Sequence, residues 1–128
     1  MGVNRLTCDI NGSRLTIIIG GELCSGDLIN FSYRALQYVD KMAINFIVLV
    51  DVEEAKFNLI DGLWQKICSQ FNEKAVKRNV LKIAYILPPY LYMKCRDCAA
   101  PSCVRIFERD KAAAEAWLNE SSPVTASL

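Results

Sequence analysis

Polar and apolar residues alternate at the start of the chain, with Leu6, Cys8 and Ile10 on one side of an extended segment, before Asn11-Gly12 supplies the positive-φ pair of a tight turn. Leu15-Thr16-Ile17-Ile18-Ile19 resumes β character, so the pattern predicts a hairpin over roughly residues 5–10 and 14–20, ended by Gly20-Gly21. The period then changes. Leu28, Phe31, Ala35, Val39 and Met42 recur at helical spacing, and Ser25 or Asp27 can cap a helix running to about Lys41. Asn45 to Val52 is a continuous apolar, β-branched run, as expected of a central strand in a parallel sheet covered on both faces. Glu53-Glu54-Ala55-Lys56 is expected as a loop, and Leu63, Ile67, Phe71 and Ala75 mark a second amphipathic helix over about 60–77. Val80 to Leu87 is again β. Pro88-Pro89 stops it, and Tyr90-Leu91-Tyr92-Met93-Lys94 predicts a short helix beginning just after proline. Ser102 to Phe107 predicts a last strand. Asp110 caps an alanine-rich helix from Lys111 to Asn119, with Trp117 and Leu118 on its apolar side.

The order β-β-α-β-α-β-α-β-α implies right-handed crossovers and an α/β fold: a mostly parallel five-stranded sheet with an antiparallel first strand, covered by four helices. Residues 1–120 are expected as a single domain and 121–128 as a polar C-terminal tail. A chain of 128 residues, 52% hydrophobic and 23% charged, can bury a core, which excludes a disordered class. Lys and Arg total 15 against 14 Asp and Glu, and a net charge of +1 gives no field that would attract nucleic acid, so no nucleic-acid partner is expected. The absence of histidine excludes Ser-His-Asp and Cys-His catalysis, the HExxH zinc site and an imidazole switch. The N-terminus MGVNRLTCDINGSRL has no apolar signal core, and no apolar run approaches the about 18 residues of a membrane span. A cytoplasmic protein without a transmembrane segment is expected. Acylation at Gly2 would need Ser or Thr where Leu6 stands.

Gly20-Gly21-Glu22-Leu23 before the first helix, Phe46-Ile47-Val48-Leu49-Val50-Asp51-Val52, and Val104-Arg105-Ile106-Phe107 leading to Ala113-x-x-Ala116-Trp117-Leu118 together carry a likeness. The chain resembles the SpoIIAA-like family, relatives of the STAS domains of sulfate transporters and anti-sigma-factor antagonists. The resemblance covers about residues 5 to 119. It implies sequentially ordered strands and a binding role. In STAS antagonists a phosphorylatable Ser follows an Asp at the start of the second helix; the matching stretch here is Ile60-Asp61-Gly62-Leu63, and Gly62 has no hydroxyl to phosphorylate. The divergent SpoIIAA-like branch, which also resembles lipid-binding SEC14 domains, fits better.

Several constellations could carry chemistry. Gly21-Glu22-Leu23-Cys24-Ser25-Gly26-Asp27 has the spacing of a phosphate loop, but Asp27 takes the lysine position and a carboxylate repels phosphate, so a turn plus helix cap is preferred. Asp51, Glu53, Glu54 and Asp61 gather at the carboxyl end of the central strand, where open α/β sheets place their sites; solvated loop charge and a helix-start cap explain the same residues and are preferred to an active site. Six cysteines are read as reduced thiols. Cys95-x2-Cys98-x4-Cys103 is the sharpest metal-like or redox-like spacing, and a zinc site would need Cys68, Cys8, Cys24 or a carboxylate such as Asp97 as fourth ligand. Tyr90, Leu91, Tyr92 and Met93 crowd one short segment: a helix packing Leu91 and one Tyr inward accounts for it, and the other reading is an exposed apolar patch, to which Trp64 adds as a half-exposed ring unless it is a rim residue of the core.

The expectation is therefore a non-enzymatic, STAS-like binding module without cofactor, presenting a surface or shallow pocket to a protein or a small apolar or lipid ligand. Trp64, Tyr90, Leu91, Tyr92 and Met93 would supply contact energy, Asp51, Glu53 and Asp61 would set orientation, and the surface at the helix start around Gly62 would be part of the contact. Self-association as a homodimer through the same patch is compatible with it. The alternative is a thiol-redox or metal-binding protein using Cys95, Cys98 and Cys103.

Overall fold

Strands β1 (Asn4–Asn11) and β2 (Arg14–Cys24) form the opening antiparallel hairpin around Gly12, at φ 62°, in the computed structural model, which describes residues 3–120. The tail expected at 121–128 lies outside the described residues. Contrary to the sequence pattern, β2 does not end at Gly20-Gly21. Gly21 takes φ 88°, stays paired with Asn4, and donates its N–H to the Glu54 carbonyl at 3.2 Å. A diglycine that looks like a stop is here a bend inside a strand, because Gly tolerates left-handed φ without leaving the ladder.

That bend gives β2 two partners in line. Arg14 to Ile18 pair in parallel with β3 (Ile47–Asp51), and Gly21 to Cys24 pair in parallel with β4 (Ala55–Asn58). Strand β4 contains part of the segment expected as a loop, so the sheet has six strands rather than five. With β5 (Lys82–Leu87) and β6 (Val104–Glu108) the order is β1-β2-β3-β5-β6, β4 lying beside β2, and only the β1–β2 pairing is antiparallel.

Four helices cover the sheet: α1 (Ser25–Val39), α2 (Leu63–Lys77), α3 (Pro89–Cys95) and α4 (Lys111–Asn119). Neither Ser25 nor Asp27 is the N-cap of α1. Cys24 is, and Asp27 in the first turn accepts the Cys24 backbone N–H at 3.0 Å and its thiol at 3.2 Å. The Ser25 hydroxyl instead accepts the Ile60 N–H at 3.0 Å. The phosphate-loop-like stretch is thus occupied by strand pairing and capping. Helix α2 begins at Leu63, later than residue 60, where Gly62 at φ 80° turns the chain into the helix.

Leu15, Ile17, Ile19, Val48, Val50, Ile83 and Tyr85 point to the face covered by α1, α2 and α3, against Leu28, Phe31, Phe71 and Leu91. Leu49, Ala84 and Ile86 alternate to the other face, under Ala114 and Leu118 of α4. Arg14 of β2 holds Glu115 of α4 through two parallel N–H···O bonds, at 2.5 and 2.8 Å. Helix α3 is the shortest part of this cover. It has only seven residues and gives way to an irregular, turn-containing connection that returns to β6 past Pro101. A helix this short cannot cover the two strands beneath it.

Candidate functional site: a groove beside α2

Between α2 and the α3–β6 connection, above β5 and β6, lies a surface groove of about 740 Å³. Ligand clefts commonly fall in the range of about 300–1,000 Å³. Trp64, Cys68, Asn72 and Val76, spaced four apart on α2, make one wall. Tyr85 and Leu87 of β5 with Val104 and Ile106 of β6 make the floor, alternate residues of each strand facing the same way. Cys95, Cys98, Ala99, Ala100 and Pro101 close the other side.

Polar groups are few at the base. The Tyr85 hydroxyl donates to Asn72 Oδ1 at 2.6 Å, and Asn72, 7% exposed, is the one buried polar side chain among the described residues. The Cys68 thiol lies near the same hydroxyl, and the Trp64 indole lies beside the Cys95 sulfur. Burial pushes the Cys68 thiol well above its ordinary value of 9.0, with Cys95 adding to the effect. Burial likewise raises Tyr85 well above 10.0, followed by the influence of Cys68. Cys95 is raised by burial, against the opposing influence of the nearby Trp64 indole N–H and the Lys94 charge. The thiolate is the reactive form of cysteine, so this environment works against nucleophilic or redox use near neutral pH.

The same shifts set a pH dependence. A group whose folded pKa is raised contributes stability below its unfolded value and loses it as pH climbs toward the folded value. The urea midpoint should therefore hold steady up to about pH 8 and fall between about pH 9 and 11, as Cys68, Cys95 and Tyr85 ionise in the unfolded chain. Cys68→Ala should shallow that fall. An unchanged midpoint across this alkaline range would contradict the burial of these groups.

The structure scatters the residues that the sequence brought forward. Asp51 is half-buried at the end of β3, and its Oδ1 accepts the Glu53 N–H at 3.0 Å, which shapes the turn into β4. Asp61 and Gly62 are exposed ahead of α2. None of these four lines the groove. Trp64 does, but at 5% exposure it is a core residue, stacked against Phe57 with ring centroids 5.3 Å apart and edge-on to Tyr85 at 6.2 Å. Leu91 is 4% exposed. Neither can serve as a surface anchor, which corrects the expectation of one apolar patch. Tyr90 shows its ring to solvent, yet its hydroxyl donates to the Ala55 carbonyl at 2.9 Å and accepts the Phe57 N–H at 3.0 Å, clipping α3 to β4. Tyr92 is half-buried against the core, and Met93 is exposed.

Cysteines 95 and 98 line the groove and Cys103 lies beside it, half-buried. All six cysteines are free thiols. Among the described residues no three Cys, Asp or Glu side chains gather closely enough to hold a metal ion. Asn72 and Tyr85 were missed. A polar Asn within the apolar stripe of α2 and a Tyr within a fully apolar strand were the available signals.

Among the described residues no helix is long and apolar enough to cross a membrane. No protein-family model matches the chain, and no curated protein matches it. Among solved structures, it is similar to an uncharacterized protein of the DUF3478 family with a SpoIIAA-like fold from Shewanella loihica PV-4. The TM-score is 0.57 at 14% identity, over 92% of this chain and 95% of that one. Strand order, the antiparallel first strand and the four-helix cover agree with that likeness: the chain has a SpoIIAA-like fold.

Proposed function

We propose that the chain is a non-enzymatic binding module that holds a small apolar ligand in the groove between α2 and the α3–β6 connection. The observation that carries this reading is the groove itself, about 740 Å³ in size and lined at its base by Trp64, Leu87, Val104 and Ile106 around a single hydrogen-bonded pair, Tyr85 and Asn72. Apolar walls with a few convergent polar groups are the usual makeup of a small-molecule cleft. The chemistry of the lining supports binding over catalysis, because the chain has no histidine and burial raises the two thiols nearest the base.

The groove is bounded on one side by exposed loop residues, so it can be blocked without disturbing the core. Native mass spectrometry of the protein isolated from its source cells should show a bound small molecule. The adduct should be lost in Ala100→Phe, which puts a ring into the groove from an exposed position. An adduct that survives this substitution, or none on either protein, contradicts the reading.

A further inference from the structure

Resting on the groove as the binding site, we infer that its occupant is an uncharged molecule carrying a hydrogen-bond acceptor of the carbonyl or ether class, received by the side-chain amide N–H of Asn72. Asn72 is 7% exposed and lines the groove, and its Oδ1 is taken by the Tyr85 hydroxyl at 2.6 Å. Its Nδ2 has no partner among the described residues. Only Arg78 Nε is fully enclosed without a partner among the buried side-chain nitrogens and oxygens, so the Asn72 amide opens onto space, and the space it lines is the groove. A ligand that displaces water from this donor must offer an acceptor in its place or leave the N–H unpaired, which is costly.

Charge at the rim narrows the class. Lys77 faces Glu73 at 3.0 Å, and Arg96 faces Asp97 at 3.8 Å. Arg105 belongs to β6, but its guanidinium lies over Trp117 at 5.0 Å, on the face covered by α4. These cations stand at the exposed rim or on the other face, and none is among the residues at the base, so a carboxylate or phosphate brought there would lose its hydration without gaining an ion pair. A neutral acceptor loses far less.

A matched probe set tests this. The neutral ketone 2-propionyl-6-(dimethylamino)naphthalene reports binding by its fluorescence; the 2-propyl analogue lacks the acceptor, and the 2-carboxylate adds charge. On the wild-type protein the ketone should bind saturably, the propyl compound about 5–10-fold more weakly, and the carboxylate more weakly still. Asn72→Leu should abolish the ketone's advantage over the propyl compound. Asn72→Asp, which keeps an acceptor for Tyr85, should abolish it too, and the wild-type series decides the matter if either variant fails to fold. Equal binding of ketone and propyl compound overturns the acceptor inference while leaving the groove as a site. Tightest binding of the carboxylate overturns neutrality. Binding of none of the three counts against the groove itself.

Discussion

Gly21→Ala will lower the unfolding free energy by about 2–5 kcal/mol, from left-handed backbone strain and overpacking together. Gly21 holds φ 88° in the middle of β2, and a Cβ there would overlap the Val3 carbonyl oxygen and come within 2.8 Å of Asn4 Cα. These are backbone atoms of the neighbouring strand, so no rotamer change can relieve the contact. Either β1 separates from β2 or the bend straightens and breaks the Gly21 N–H bond to Glu54, which holds β4 in place. Gly62 is the internal control. It also has positive φ, 80°, but nothing lies within 4 Å of an added Cβ, so Gly62→Ala should cost only the conformational strain, about 1–2 kcal/mol. Urea denaturation measures both. Hydrogen exchange should show protection lost at Asn4 to Leu6 in the first variant only. Equal costs for the two substitutions would contradict the close approach of the strands.

Trp64→Ala is expected to destabilise by about 3–5 kcal/mol, the usual cost of removing a large buried aromatic. The ring is in contact with Phe57 of β4 and Tyr85 of β5, and its indole meets Cys95 at the end of α3. It also stands between the groove and a small apolar space of about 40 Å³ lined by Ile17, Leu28, Phe31 and Val50. Truncation merges the two, so the groove should lose its shape along with its stability. Trp64→Phe should recover part of the loss, since a smaller ring still separates these spaces. Thermal and urea unfolding of the two variants give the measurement, and a cost below about 1 kcal/mol for the alanine variant would show that Trp64 is a surface residue.

Elements buried on both sides were plain in the sequence for a physical reason. Strands β3 and β5 carry unbroken apolar runs because helices cover both faces, and α1 and α2 show an apolar stripe because each buries one side. Strand β4 was not legible. Of its four residues only Ala55 is buried, and nothing in Ala55-Lys56-Phe57-Asn58 alternates strongly enough to mark a strand. Its existence depends on the bend at Gly21, which local sequence cannot separate from a turn. Trp64 was misplaced because it sits beside the Leu63 stripe, whereas α2 packs against both α1 and the sheet and so buries a wider arc than one stripe.

The groove was hidden for a different reason. Its wall comes from residues 64–76, its floor from 85–87 and 104–106, and its far side from 95–101, so no window of sequence contains it. The clue available was the brevity of the segment from Pro89 to Cys95, too short to cover two strands. The cysteine spacing leads to the edge of the same groove. Cys95 and Cys98 do line the site, but burial keeps Cys95 a packed, neutral thiol, and among the described residues no third ligand joins the pair.

The positions of the two tryptophans allow the most direct test of a binding site in this groove. Trp117 packs on Phe107 under the other face of the sheet, so Trp117→Phe leaves Trp64 as the sole reporter at the groove. Titrating 2-propionyl-6-(dimethylamino)naphthalene into this variant should quench Trp64 emission by energy transfer, saturably and with one probe per chain, and adding Ala100→Phe should remove the effect. Quenching that fails to saturate, or that survives with the groove blocked, would contradict a binding site beside α2.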